Sequence, residues 1–136
     1  MKQRNTILCP ATLTIGLLSS KWKVHILAHI GLKEGGIRFG ELSRLLPEIS
    51  RKMLTQSLNE LVEDGFLTRK AYPQVPPKVV YNLTELGTEV QRVINALAVF
   101  GSKYINENRK KIERSYGTNK VEEQINTALK MGWLKI

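Results

Sequence analysis

The sequence predicts a mainly helical α+β chain carrying a small β-wing, and three stretches predict it. Between Arg38 and Gly65 two helical patterns are separated only by a short link at Pro47. From Phe66 to Leu83 two alternating runs flank a proline-rich tip, and from Leu86 to Ile105 apolar residues recur at helical spacing over more length than a small domain covers by itself.

Along the chain, Pro10 suits the first position of a helix, so Cys9 falls at that helix's N-terminus. Ser20 to Ile30 is expected to be a helix that buries Trp22, Ile26, Leu27 and Ile30. Lys33-Glu34-Gly35-Gly36 then turns into Ile37-Arg38-Phe39, read as a short strand beside the wing. Arg38 to Pro47 is a short helix with Leu42, Leu45 and Leu46 inward, closed by Pro47, which lacks an N–H to donate.

The next helix runs from an N-cap at Ser50 to a stop at Gly65. Its apolar face is Leu54, Leu58, Leu61 and Val62, and its opposite face carries Lys52, Thr55, Gln56 and Asn59, side chains that can reach base edges. Its charge is polarised, with Arg51 and Lys52 first and Glu60, Glu63 and Asp64 last. An ordinary solvated helix prefers the reverse, so a basic first turn costs a few tenths of a kcal/mol unless an anion such as a phosphate sits there. Taken alone, such a helix is more often just amphipathic. The short helix ahead of it supplies helix-turn-helix spacing, and the pair reads as a DNA-reading module.

Phe66 to Tyr72 and Lys78 to Leu83 are expected as two strands around Pro73-Gln74-Val75-Pro76-Pro77, whose prolines stiffen a projecting tip. Arg69, Lys70 and Lys78 make that wing basic. Thr84 can cap the long helix that follows, with Leu86, Val90, Val93, Ile94, Leu97, Phe100, Tyr104 and Ile105 on its apolar positions. Near the end, Asn119 with Glu122 resembles a capping box, and Val121, Ile125 and Leu129 share a face, so a last short helix should stop near Gly132. The preceding Arg109-Lys110-Lys111 and Arg114 read as a solvated face.

Global composition narrows the classes. The 136 residues fit one domain, and a net charge of +9 with 21 basic against 12 acidic residues suits a polyanion partner. No run of 18 apolar residues occurs and the first residues lack a signal-peptide core, so a soluble cytoplasmic protein with no membrane contact is expected. One cysteine excludes an internal disulfide and a multi-cysteine zinc site. His25 and His29 share a helix face, but without a third ligand they read as exposed or interface histidines, and no metal or cofactor is expected. There is no phosphate-cradling glycine loop, no nucleophile elbow and no carboxylate pair spaced for acid–base work, so an enzyme is not expected.

Cys9-Pro10, Lys21-Trp22, Arg38-Phe39-Gly40-Glu41-Leu42, Ile49 to Gln56, Leu61, Asp64-Gly65, Tyr72 to Val79 and Tyr81 to Gly87 occur in the order that marks one family. From Cys9 to about Tyr104 the chain resembles the HxlR family of bacterial transcription regulators, relatives of the MarR group with a winged helix-turn-helix. Ser19-Ser20, where the family usually has a glycine pair, and Leu13, where it usually has a polar residue, depart from the pattern. The resemblance implies a homodimer joined through N- and C-terminal helices over a palindromic double-stranded operator. Repression is the default expectation, since a small dimer can block polymerase by occupancy alone. The chain is expected to divide into a DNA-binding and dimerising domain over residues 1–116, with its core at 21–83, and an extension over 117–136, a short helix packing on the dimer. The candidate DNA contacts are Lys21, Arg38, Ser50, Arg51, Lys52, Thr55, Gln56, Asn59, Arg69, Lys70 and Lys78.

Cys9 is the candidate sensor. A cysteine at a helix N-terminus has its thiolate favoured, and several family members sense electrophiles or oxidants through a cysteine there. The alternatives are an inert packed thiol in a regulator controlled by a small ligand, or a winged helix used for protein or RNA contacts.

Overall fold

The computed structural model describes residues 8–135. The described chain forms two compact units, one running to Thr88 and the other beginning at Glu89.

The first unit contains α1 (Pro10–Leu18), α2 (Lys23–Leu32), β1 (Ile37–Arg38), α3 (Phe39–Leu45), α4 (Arg51–Glu63), β2 (Leu67–Tyr72) and β3 (Lys78–Leu83). The strands make an antiparallel sheet in the order β1-β3-β2. Its register pairs Leu67 with Leu83 and Tyr72 with Lys78 along the wing, and Ile37 with Tyr81 at the short strand.

The core lies where α2, α3, α4 and the sheet meet. Ile26, Leu27, Ile37, Leu42, Leu54, Leu58, Leu61 and Leu67 are essentially inaccessible to water. Each such side chain contributes about 1.5–3 kcal/mol relative to exposure, which holds α4 firmly by its inner face. Ser57 completes that face, while Val62 is only half-buried.

Local chemistry sets the ends of these elements. The Ser50 hydroxyl accepts the Met53 N–H at 3.1 Å, satisfying one of the open donors at the start of α4. Gly65, at φ +84°, ends that helix in a conformation that side chains disfavour. Phe66 then enters the sheet. The Thr84 hydroxyl donates to the Gly65 carbonyl at 2.5 Å and accepts the Gly87 N–H at 2.9 Å, so it clamps the exit of α4 while capping α5 (Glu85–Glu107). Gly87 is obligatory in this clamp, because a Cβ there would stand 2.1 Å from the Phe66 carbonyl oxygen.

Two expectations for the core need correction. Leu45, read as inward, is 49% exposed at the end of α3, where Leu42 and Leu46 take the buried positions. Trp22 is half-buried, and the buried member of that turn is Lys23, 9% exposed. The reason is register: α2 begins at Lys23, its N–H held by the Ser20 hydroxyl at 3.1 Å, which puts Lys23 on the stripe of Ile26, Leu27 and Ile30. The sequence contains that spacing, but a lysine is normally read as solvent-facing.

The second unit holds most of α5, then α6 (Arg109–Tyr116) and α7 (Thr118–Met131). Val90, Ile94, Val121 and Ala128 are buried, whereas Val93, Leu97, Phe100 and Tyr104 leave a continuous exposed apolar strip along α5. The basic cluster at 109–114 forms its own helix. The capping box at Asn119 does not form, because Gly117 at φ +91° turns the chain into α7 earlier and Glu122 meets Arg109 at 3.3 Å instead. α7 ends at a left-handed Gly132, as the sequence predicts.

Candidate nucleic-acid interface

α3 and α4 form a helix-turn-helix whose second helix presents one polar face. Arg51, Lys52, Thr55, Gln56 and Asn59 are all exposed there, and the first turn of α4 contains no acidic residue. Open backbone N–H groups and two cations therefore coincide at one helix end, the arrangement that attracts a phosphate. The Arg51 guanidinium lies 5.0 Å from the Phe39 ring centroid, which holds it between the starts of α3 and α4.

The face is less free than the sequence implies. The Ser50 oxygen is occupied by its own cap. Gln56 donates to a Glu60 carboxylate oxygen at 3.3 Å, and Glu60 also holds the Lys23 ammonium at 2.9 Å. Lys23, with Gln56, keeps the Glu60 carboxyl below its ordinary pKa, so the group is anionic beside the polar face. Reading a base through Gln56 then requires giving up a weak, exposed hydrogen bond.

On the wing, Lys70 and Lys78 each lie 5.1 Å from the Tyr72 ring centroid. The strand register explains this, because Tyr72 pairs with Lys78 and Lys70 sits two residues away on the same face. Arg69 pairs with Tyr81, so it falls on the other face from the two lysines, and it too is exposed. The wing is therefore basic on both faces.

Two cations sit nearer the root of the module. Arg38 caps α3 and, with Arg44, Glu41, Pro77 and Val79, lines a hollow of about 370 Å³ between α3 and the wing root. Arg44 was not among the sequence candidates; its place in the last turn of α3 was the available signal. Lys21 stacks over Trp22 at 5.2 Å and shares a smaller hollow with Leu46, Pro47 and Glu48 of the turn between α3 and α4.

Cys9 stands directly before α1 and is exposed. Its side chain makes no capping hydrogen bond in this conformation. Even so, the Thr12 backbone N–H, then the Thr12 hydroxyl and the Ala11 N–H, draw its thiol below the usual cysteine pKa. Leu13 and Ile15 on α1 are also exposed. His29 is held below its ordinary pKa by burial and then by repulsion from His25, and among the described residues no three His, Cys, Asp or Glu side chains gather as a metal site. Among the described residues no helix is long and apolar enough to cross a membrane.

A helix-turn-helix followed by a two-stranded basic wing defines a winged-helix transcriptional regulator. Residues 17–109 match the model of the HxlR-like helix-turn-helix family, and the chain belongs to that family. It is 42% identical over 103 residues to the regulatory protein MalR of Fusobacterium mortiferum, covering 76% of this chain and 96% of that one. Among solved structures it resembles the HTH-type transcriptional regulator YtcD, at 41% identity and TM-score 0.67 over 73% of this chain and 99% of the other. It also resembles the redox regulator HypR in its oxidised form, at 38% identity and TM-score 0.63 over 70% and 96%. The names of these relatives describe regulators, in the case of YtcD a transcriptional one.

Proposed function

We propose that the chain binds a roughly palindromic duplex operator as a homodimer and represses transcription by occupying it. One observation carries the proposal: the acid-free first turn of α4, with Arg51 and Lys52, stands exposed beside a wing whose Lys70 and Lys78 share one face. Lys52, Thr55, Gln56 and Asn59 read bases, while Lys21, Arg38, Arg51, Lys70, Lys78 and Arg69 meet phosphate and Ser50 holds the helix end. The exposed apolar strip of α5 and the exposed Leu13 and Ile15 of α1 support pairing of two copies. In that reading residues 1–116 bind and dimerise, and residues 117–136 pack on the dimer.

The test is selection of bound duplexes from a random pool, followed by titration of the selected site over a salt series. A steep fall of affinity with salt, with slope near −0.9 per phosphate neutralised, and resistance to random competitor DNA are expected. Equal affinity for selected and random duplexes would sink the operator reading.

A second reading concerns control. Cys9 responds to thiol-reactive stress: its thiolate attacks one sulfur of a low-molecular-weight disulfide, forming a mixed disulfide and releasing the other half as a thiolate. Its exposure, its lowered pKa and the likeness to a redox regulator support this. Diamide or oxidised glutathione should change operator affinity of the native chain and leave Cys9→Ala unaffected; identical behaviour of the two rules it out.

A further inference from the structure

Arg38 precedes α3 and Arg44 lies in its last turn, yet the helix brings both to one place. A helical side chain leans toward the N-terminus and covers the turn before its own. Arg44 lies back over Gly40, where a Cβ would stand 3.8 Å from one of its guanidinium nitrogens. A cation in a last helical turn ordinarily serves the open carbonyls there. The Arg44 head instead faces the start of α3, and with Arg38 it lines a hollow of about 370 Å³ bounded by Pro77 and Val79 of the wing root.

Two convergent cations repel unless an anion lies between them. Glu41 lines the same hollow, but its carboxylate is held by the Lys33 ammonium, which favours the Glu41 anion most, as Arg44 does least. Among the described residues neither Arg38 nor Arg44 forms an ion pair, and both are exposed. Their charge is open to a partner from outside.

We propose that this hollow seats one phosphate of the operator backbone, gripped by Arg38 and Arg44 together, so that α3 shares the DNA contact with α4 and the wing. The inference rests on the operator reading and adds Arg44 to it. A guanidinium presents a planar fork of N–H donors that matches phosphate oxygens, and two forks can hold one phosphodiester from two sides. Place supports the same occupant. Phe39 belongs to the lining and its ring lies 5.0 Å from the Arg51 guanidinium, so the hollow borders the basic end of α4. At the other rim, Lys78 stands between Pro77 and Val79, where the lysines of the wing begin. The two arginines thus bridge the interval between Arg51 and Lys78, and a DNA strand laid along that row brings a negative charge at every nucleotide.

A second copy of the chain is the wrong occupant here. It carries the same net charge of +9, and the exposed apolar residues that suit pairing lie on α1 and α5.

The test uses the full chain, a duplex selected for binding and a random one. Arg44→Ala should weaken both duplexes alike by roughly tenfold, the size of one charge-assisted contact, and shallow the salt slope by about one per subunit. Its thermal midpoint should not move, because Arg44 is exposed. Arg44→Lys, which keeps the charge and loses the fork, should restore the slope and only part of the affinity. Single phosphates of the selected duplex are then replaced by uncharged methylphosphonate. One position per half-site should weaken the native chain, cost Arg44→Ala and Arg38→Ala distinctly less, and cost the double variant nothing.

A native chain whose affinity is independent of salt fails at operator binding itself and overturns the reading on which this one rests. A steep native slope that Arg44→Ala leaves unchanged keeps that reading and overturns the phosphate seat. Methylphosphonate losses that add to those of the arginine variants at every position overturn it too. Inorganic phosphate that raises the thermal midpoint of the native chain but not of Arg44→Ala, at constant ionic strength, assigns the hollow to a free anion and overturns the proposal.

Discussion

The Lys23 ammonium lies 2.9 Å from a Glu60 carboxylate oxygen, with the Lys23 side chain 11% exposed and that of Glu60 43% exposed. The pair joins the first turn of α2 to the last part of α4, so a core stripe ends in a charge that reaches outward to its partner. A nearly buried lysine without such a partner would strongly favour leaving the core.

Glu60→Gln should therefore lower the thermal midpoint at neutral pH. The folded carboxyl titrates below its unfolded value because Lys23 and Gln56 favour the anion, so the stabilisation is present above the unfolded pKa, near 4.5, and is lost as pH falls through the lower folded value. Melting curves of the two proteins should converge at acid pH. A difference that stays constant from pH 7 to pH 3 would show that the ion pair is not its source.

Gly87→Ala should destabilise the first unit by about 1–3 kcal/mol, because its Cβ forces the first turn of α5 off the Phe66 carbonyl. Thr84→Val, which removes the hydroxyl clamped between Gly65 and Gly87, should cost about 1–2 kcal/mol. Urea unfolding followed by circular dichroism measures both. If Gly87→Ala is neutral, the close approach is not a constraint.

On selected DNA, Asn59→Ala and Gln56→Ala should lose about 1–3 kcal/mol of discrimination, with the Gln56 effect reduced by the hydrogen bond it already makes to Glu60. Lys78→Ala and Lys70→Ala should weaken every duplex alike and shallow the salt slope by about one each. Tyr72→Ala should produce part of both lysine effects, since one ring supports them. Anisotropy titrations against selected and random duplexes separate the two patterns; a wing variant that alters sequence preference would contradict the assignment.

Alkylation of Cys9 in the native chain should be complete, and its rate should rise with pH through an inflection below that of a free cysteine. Thr12→Val, which removes the hydroxyl but keeps the larger contribution from the Thr12 N–H, should move the inflection upward only modestly. An inflection at the free-thiol value in the native chain would show that the helix start does not activate it.

Much of the DNA-reading module was legible because its signals are local. Ser50, Pro47, Gly65 and Thr84 act on the backbone within a few residues, and strand alternation survives in the wing. The Lys70–Tyr72–Lys78 arrangement was hidden, because it depends on which residue of β3 faces which residue of β2. Lys23 was hidden for a different reason: its partner is far along the chain, and only that partner makes its burial tolerable. At the capping box the local signal misled, since Glu122 had a stronger use against Arg109 than against the backbone of α7.

By itself the sequence determined a winged helix-turn-helix regulator with a basic reading helix and a basic wing, because periodicity, caps and charge order are written residue by residue. Tertiary structure decided which cations share a face, that Gln56 and Lys23 converge on Glu60, and that the end of α5 lines an open apolar hollow together with α6 and α7. Those outcomes depend on the packing of segments distant in sequence, where burial and electrostatics act between side chains that no local pattern relates.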